Sequence, residues 1–164
     1  MAEIIRIAPA NVSLYRQVRL QALQDSPSAF GNTHARESKL TESDWLGRAA
    51  NLDGSSRIGF MAIDDGQPCG LVACFRDEQD ASRAQVISMW VVPAQRGTGL
   101  SWALLEAIRT WSKSCGTQTL QLMVTSNNDP AIRFYERYGF AKTGRTEPYP
   151  NDPTLFEFEM MRAV

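Results

Sequence analysis

Residues 88–105 read Ser-Met-Trp-Val-Val-Pro-Ala-Gln-Arg-Gly-Thr-Gly-Leu-Ser-Trp-Ala-Leu-Leu, and this stretch decides the fold. Its first part belongs to a run rich in Val, Ile and Trp that predicts a strand over 84–92. Pro93 ends that strand, because proline cannot donate a hydrogen bond to a β-ladder. The last part opens the clearest helix of the chain, whose apolar stripe is Leu100, Ala103, Leu104, Ala107, Ile108 and Trp111.

The turn between that strand and that helix has the features of an anion site. Gly97 and Gly99 let backbone N–H groups converge, and the helix start adds its dipole and unpaired donors. Arg96 places a cation beside them. The chain lacks the GxxxxGK[ST] string of a P-loop, and Trp102 stands where a dinucleotide fingerprint needs a small residue. The turn therefore predicts a phosphate or pyrophosphate nest outside those two nucleotide classes; the alternative is a plain connecting turn.

The rest of the chain predicts a mixed α/β domain spanning 1–164, with no repeat or linker. The sheet should be mostly antiparallel around a parallel central pair, with about four helices. The strand–helix–strand unit over 84–124 should form that pair through a right-handed crossover. The predicted strands are 4–7, 57–63, 69–76, 84–92, 119–124, 140–146 and 155–161, and the predicted helices are 11–23, 41–50, 100–111 and a short one from Asp129 to Gly139.

Some local signals fix the ends of these elements. An Asp-Gly pair at 65–66 predicts a hairpin turn. Thr41 or Ser43 caps the second helix, and Asp129 is the expected N-cap of the short helix, with Pro130 at its first position. Residues 26–36 are expected to be irregular.

Composition limits the function further. The 164 residues are 43% hydrophobic and 21% charged, with a net charge of −1, which argues against disorder and against coating nucleic acid or an anionic membrane. Three cysteines without a CxxC pair predict reduced thiols and a cytoplasmic address. No metal is expected, because His34 is the only histidine. Glu3 and Arg6 interrupt the first apolar stretch, which therefore does not predict a signal peptide.

Two segments resemble the motifs of the GCN5-related N-acetyltransferases, the GNAT superfamily. Residues 96–101, Arg-Gly-Thr-Gly-Leu-Ser, are similar to the motif R/Q-x-x-G-x-G/A, with Ser101 in place of the last small residue. Residues 128–140, Asn-Asp-Pro-Ala-Ile-Arg-Phe-Tyr-Glu-Arg-Tyr-Gly-Phe, contain every element of N-x-x-A-x-x-x-Y-x-x-x-G-F. The order of elements over residues 3–163 is also the order found in this family.

The resemblance implies where acetyl-CoA would bind. In the family the cofactor lies in a V-shaped gap between two splayed parallel strands, here 84–92 and 119–124. The pantetheine amides then pair with exposed backbone groups like an added strand. Asn128 would bond the pantetheine arm or orient the site, and Tyr135 would face the thiol. The strand contacts would come from Met89, Trp90 and Val91, and the pyrophosphate contacts from Gln95, Arg96, Gly97, Thr98, Gly99, Leu100 and Ser101.

The implied reaction is direct attack of an amine on the thioester carbonyl. A backbone N–H near Val91 would stabilise the oxyanion. Tyr135 matches the family's general acid, because a phenol with a pKa of about 10 stays protonated at pH 7. The general base remains open, since neither splayed strand carries a carboxylate. The alternatives are a water held by Ser88 or Gln85, a carboxylate from Glu37, Glu42 or Asp44, or the imidazole of His34.

The resemblance also places the acceptor between the N-terminal helices and the last strand–loop–strand. Phe30, His34 and Tyr149 are the candidate substrate residues there. The sequence thus predicts an acetyl-CoA-dependent N-acetyltransferase acting on a small-molecule amine or a protein N-terminus. The alternative is an acyl-CoA-binding regulatory or structural module of the same fold. Neither nucleic acid nor membrane is an expected partner, and a homodimer is expected only by family analogy.

Overall fold

A computed structural model gives the arrangement of residues 2–164. These residues form seven strands and five helices, together with short 3-10 turns at 9–11, 27–29 and 93–95. The strands are β1 Glu3–Arg6, β2 Arg57–Asp64, β3 Gln67–Arg76, β4 Arg83–Val91, β5 Thr119–Thr125, β6 Ala141–Pro148 and β7 Phe156–Ala163. The helices are α1 Val12–Asp25, α2 His34–Glu37, α3 Glu42–Asn51, α4 Leu100–Ser114 and α5 Asp129–Tyr138.

The strands form one sheet in the order β1-β2-β3-β4-β5-β7-β6. Every neighbouring pair is antiparallel except β4 and β5, which are parallel and are joined through α4. This arrangement confirms the predicted mixed α/β class with a parallel central pair. The parallel pair lies near the middle of the sheet, so each of its strands also pairs with an antiparallel neighbour, β3 or β7.

Helices cover both faces of the sheet. On one face, Leu104 and Ile108 of α4 are fully buried and pack with Leu120 and Leu122 of β5. On the other face, Val18 and Ala22 of α1 belong to a second core with Met61, Leu71 and Trp90. The apolar stripe of α4 is therefore a packing surface, which explains its strict periodicity.

Three predicted local signals are confirmed. Asp65 and Gly66 both have positive φ angles, 51° and 74°, as a two-residue type I′ hairpin turn requires. The Thr41 side chain accepts a hydrogen bond from Asp44 N at 3.1 Å, and Asp44 accepts one from Thr41 N at 2.9 Å. Gly139 ends α5 with φ 106°, the left-handed conformation of a C-cap.

Two predictions about local structure were wrong. The N-cap of α5 is Asn128, whose Oδ1 accepts from Ala131 N at 3.4 Å, and Asp129 is already in the helix. The segment 26–36 contains the start of α2, because Thr33 accepts a hydrogen bond from Arg36 N at 3.2 Å and so caps a one-turn helix. Within residues 2–164 no helix combines the length and apolar character that crossing a bilayer requires.

Candidate active site

The two central strands separate along their length. The β4–β5 pairing consists of three residue pairs, from Arg83 with Thr119 to Gln85 with Gln121. Beyond Gln85 a cleft of about 70 Å³ opens between residues 86–89 and 122–125. Backbone groups that would otherwise pair across a ladder face this cleft, and an extended ligand with amide groups can satisfy them.

A larger cavity continues from the cleft toward the start of α4. It has a volume of about 520 Å³ and shares Met89, Asn128 and Tyr135 with the cleft. Its remaining walls come from the end of β4, the glycine turn, and α5. Many of the residues predicted to bind the cofactor line it, namely Met89, Trp90, Val91, Arg96, Gly97, Gly99, Ser101, Asn128 and Tyr135.

The glycine turn leaves open space where side chains would normally lie. Gly97 has φ 78° and Gly99 has φ 89°, and a Cβ added to either would meet no atom within 4 Å. The first amides of α4, from Leu100 onward, have no partners earlier in the helix. The glycine turn therefore fits a diphosphate, whose oxygens would accept hydrogen bonds from these amides in the space that a Cβ would fill.

Arg96 is held at the edge of this nest. Its Nε donates to Val91 O at 3.0 Å, and its Nη2 donates to Asp25 Oδ2 at 2.8 Å. Asp25 also accepts from Ser26 Oγ at 2.7 Å and from Trp90 Nε1 at 3.0 Å. The hydrogen bond from Ser26, followed by those from Trp90 and Arg96, lowers the pKa of Asp25. The end of α1 thus fixes the guanidinium while half of the Arg96 side chain stays exposed.

Gln95, Thr98 and Leu100 contribute to the shape of the turn. The Gln95 amide donates to Asp64 Oδ2 at 3.0 Å, and Thr98 Oγ1 donates to Gln95 O at 2.5 Å. Leu100 is buried in the α4 core. These side chains are engaged within the protein, so contacts from the three residues to a diphosphate would come through the backbone.

Tyr135 stands where the cleft and the large cavity meet. It is 8% exposed, and its hydroxyl makes no hydrogen bond to another residue within 2–164. Burial raises the pKa of Tyr135 above the ordinary value of 10.0. The phenol therefore keeps its proton at neutral pH and has a free O–H to donate, as a general acid must. Asn128, at the start of the same helix, lines both spaces while it caps the helix.

Ser88 lies at an irregularity of β4. Leu71 pairs with Trp90 and Ala73 with Ile87, so Ser88 and Met89 together face Val72 in a β-bulge. Ser88 has φ 58°, and its Oγ accepts a hydrogen bond from Arg19 Nη1 at 2.9 Å. One lone pair of the predicted water-relay residue is thus occupied, while its own proton remains available to donate.

The predicted acceptor residues occupy two segments that are fastened together. Phe30 and Tyr149 are 5% and 4% exposed. The Tyr149 hydroxyl lies 2.5 Å from Phe30 O and 3.0 Å from Pro27 O, and the Asn151 amide donates to Phe30 O at 3.3 Å. These contacts lock the β6–β7 loop onto the segment between α1 and α2. Tyr149 therefore holds the backbone of residues 27–30 in place through its hydroxyl. His34 lies half-buried at the start of α2.

The carboxylates considered as alternative bases, Glu37, Glu42 and Asp44, lie outside the two cavities. Burial opposes ionisation of Glu37, but hydrogen bonds and charge from Arg19 and Arg48 outweigh it and lower the pKa of Glu37. Hydrogen bonds from Thr41 lower the pKa of Asp44, and both Asp44 and Glu42 are exposed in the first turn of α3. Within residues 2–164, no Asp or Glu lines either cavity.

Sequence reasoning missed two carboxylates on β7. Glu157 pairs with Thr125, which lines the cleft, and Glu159 pairs with Met123 beside it. Burial, followed by the charge of Glu147, raises the pKa of Glu157. The alternation Phe-Glu-Phe-Glu at 156–159 puts both carboxylates on one face of the strand. The pairing of β7 with β5, which places them near the cleft, becomes visible only in the fold.

Comparison with known proteins agrees with this geometry. The model of the Acetyltransferase (GNAT) family matches residues 20–140, more than half of the chain. The chain belongs to the GNAT acetyltransferase family. A solved GNAT acetyltransferase from Streptococcus pneumoniae superposes over 100% of this chain and 99% of its own, with a TM-score of 0.85 at 19% identity. A putative acetyltransferase from Salmonella typhimurium, solved with acetyl-CoA, covers 99% of this GNAT chain and 94% of its own, with a TM-score of 0.81 at 17% identity.

Relatives by sequence have different acceptors in their names. The chain is 30% identical over 94 residues to N-alpha-acetyltransferase 30 of Schizosaccharomyces pombe, covering 56% of this chain and 63% of that protein. It is 32% identical over 109 residues to mycothiol acetyltransferase of Actinosynnema mirum, covering 66% of this chain and 36% of the relative. The matches thus span about a third to two thirds of these relatives, and they support acetyltransferase chemistry without a specific acceptor.

Proposed function

We propose that this protein transfers the acetyl group of acetyl-CoA to a primary amine of a small molecule or a protein N-terminus by direct attack. The observation that carries the proposal is one continuous space. It runs from an open glycine nest, past the splayed strands, to a buried tyrosine hydroxyl with no partner within residues 2–164. Acetyl-CoA has a diphosphate, an amide-bearing arm and a thioester in the same order.

The residues have separate roles in this proposal. The Gly97–Ser101 backbone holds the diphosphate, and the ends of β4 and β5 receive the amides of the arm. A backbone N–H near Val91 stabilises the negative charge that develops on the carbonyl oxygen. Tyr135 donates its proton to the departing thiolate, and Asn128 keeps α5, and with it Tyr135, in place.

A neutral amine is needed for the attack, and within residues 2–164 no Asp, Glu or His lines the two cavities. Ser88 retains a hydroxyl proton that can orient a water. His34 and Glu157 lie on the acceptor side, on α2 and β7. The proposal therefore assigns deprotonation to the acceptor side, with water as carrier.

The second candidate is an acyl-CoA-binding regulatory or structural module. The specific observation in its favour is the absence of any Asp or Glu from the cavity walls within residues 2–164. The Tyr135 phenol, which lines the cleft and has no hydrogen-bond partner within residues 2–164, favours catalysis, because a module that only binds needs no proton donor at the thiol.

Release of free thiol from acetyl-CoA, measured with a panel of amines, tests the proposed function. The panel should contain polyamines, aminoglycoside-type amines and peptides with free N-termini, because the relatives' names include both small-molecule and N-terminal acetyltransferases. We expect acceptor-dependent thiol release with at least one class. Tight CoA binding without release for any acceptor would favour the binding module instead.

A further inference from the structure

Three polar side chains connect the acceptor side of the protein to the cofactor strand. Arg19 of α1 donates from Nε and Nη2 to the two oxygens of Glu37 in α2, at 3.0 and 2.9 Å. Its third nitrogen, Nη1, donates to Ser88 Oγ in β4 at 2.9 Å. The Glu37 side chain is 1% exposed and that of Arg19 is 12% exposed, so water competes little for these bonds.

Ser88 is in a backbone conformation that costs energy. Its φ of 58° is one of two positive values at non-glycine residues within 2–164, and the other, at Asp65, belongs to a hairpin turn. A serine in this region is strained unless its surroundings hold it there. Ser88 lies in the bulge opposite Val72, and the residues that follow are Met89, Trp90 and Val91 at the cavity wall.

The Arg19 guanidinium is suited to hold the bulge. Its planar fork uses two parallel hydrogen bonds on Glu37, which fixes its orientation and directs the remaining nitrogen at Ser88. The Phe30 ring lies 4.9 Å from the guanidinium carbon and supports it from one side. Arg48 Nη1 donates to Glu37 Oε1 at 2.7 Å, so a second guanidinium also anchors the carboxylate.

We propose that Arg19 is a positioning residue: oriented by Glu37, it holds Ser88 in the strained bulge and so sets the direction of the backbone at Met89–Val91. The importance of those backbone groups for acetyl-CoA rests on the proposed function. The network also connects α2, on the acceptor side, to the strand that receives the thioester.

Replacement of Arg19 tests this role. Arg19→Met keeps the apolar stem and removes all three donors, and Arg48 still neutralises Glu37. We expect the affinity for acetyl-CoA to fall about tenfold or more, because a charged hydrogen bond that fixes the bulge is lost. Arg19→Lys should show most of the same loss, since an ammonium cannot bond both oxygens of Glu37 and Ser88 in this geometry. Arg16→Met, three residues earlier on the same helix and exposed, is the matched control and should bind like the unaltered protein.

A second substitution separates positioning from a merely structural role. Glycine adopts positive φ without strain, so Ser88→Gly should keep the bulge without help from Arg19. In the Ser88→Gly background, Arg19→Met should therefore weaken acetyl-CoA binding by about threefold or less, a non-additive result. Equal losses in both backgrounds would overturn the proposal, because they would show that Arg19 acts on binding by another route.

Hydrogen exchange of the protein without ligand makes the result independent of the proposed function. In Arg19→Met the amides of residues 88–91 should exchange at least about tenfold faster, whereas those of β2 should not change. If the unaltered protein binds no acetyl-CoA but shows this local change, the proposed function fails and the positioning role stands. Unchanged exchange at 88–91 in a folded Arg19→Met variant would contradict the positioning role itself.

Discussion

The cofactor side and the acceptor side of this GNAT protein are built in opposite ways. On the cofactor side the chain leaves polar groups and space available. Gly97 and Gly99 have no atom within 4 Å of a Cβ position, and the Tyr135 hydroxyl has no hydrogen-bond partner within residues 2–164. On the acceptor side several polar groups are already paired with one another, as in the contacts of Tyr149 with Phe30 and of Glu37 with Arg19.

This difference indicates that one side of the site binds a ligand and that the other side fixes the shape of the pocket. Groups that remain unpaired in a folded site are available to a ligand, whereas groups that are paired fix the position of a wall. The cofactor side is therefore expected to respond to substitution with loss of binding or turnover. Apart from Arg19, which reaches Ser88 on the cofactor strand, the acceptor side is expected to respond with loss of stability and with smaller changes in acceptor affinity.

The largest effect is expected at the glycine nest. Gly99→Val forces a β-branched side chain into φ 89° and fills the space of the diphosphate. Several charged hydrogen bonds are lost together, so the dissociation constant of CoA, measured by calorimetry, should rise about a thousandfold. Gly116→Val is the matched control, because Gly116 has φ 75° and open space but lies outside both cavities. Gly116→Val should lower stability without changing the affinity for CoA. Near-normal CoA affinity in Gly99→Val would show that the diphosphate binds elsewhere.

The next effect is expected at the proton donor. Tyr135→Phe removes the hydroxyl and keeps the ring, so kcat should fall about a hundredfold while the affinity for acetyl-CoA is nearly unchanged. Tyr138→Phe, on the same helix, removes a hydroxyl that bonds Glu106 and should leave kcat unaltered. Steady-state kinetics of both variants test whether Tyr135 acts as the general acid. An unchanged kcat in Tyr135→Phe would rule out that role.

On the acceptor side, the largest effect is expected when Glu37 is replaced, as a loss of stability that depends on pH. The folded-state pKa of Glu37 is lowered, so its contribution is fully present above the unfolded value of 4.5 and is lost as the pH falls through the folded value. At pH 7 the free energy of unfolding of Glu37→Gln should be about 2 kcal/mol lower than that of the unaltered protein. This difference should shrink below pH 4.5. Urea denaturation at pH 7 and pH 3.5 measures it, and a deficit independent of pH would contradict the ion-pair account.

The smallest effect is expected at the contact between the two irregular segments. Tyr149→Phe deletes a hydroxyl that bonds two carbonyls, which should lower the free energy of unfolding by about 1 kcal/mol. Acceptor KM should rise a few-fold as the wall loosens, while CoA affinity stays constant. A large loss of CoA affinity in this variant would show that the two sides are not as separate as described.

The same difference explains what the sequence could predict. The nest, its strand and its helix are consecutive between residues 88 and 105, so local periodicity and two glycines are enough to identify them. Tyr135 stands in one short motif with Asn128, and the resemblance of residues 128–140 to the GNAT family implied its role. The fold class followed from the order of such local signals and was confirmed by the sheet.

The acceptor side depends on contacts between residues far apart in the chain. Tyr149 and Phe30 are 119 residues apart, and Arg19 and Ser88 are 69 apart. No local pattern connects such pairs, so Arg19 escaped notice and Glu37 was considered only as a base. Glu157 was missed for the same reason, since its nearness to the cleft depends on β7 lying next to β5. The helix α2 was missed because one turn is too short to show a periodicity.

A structure of the complex with acetyl-CoA is the most direct test of how this protein holds its cofactor. We expect the diphosphate within hydrogen-bond distance of the amides of residues 97–101, the pantetheine arm between β4 and β5, and the sulfur next to the Tyr135 hydroxyl. A diphosphate bound away from the glycine turn, or a sulfur out of reach of Tyr135, would contradict this expectation.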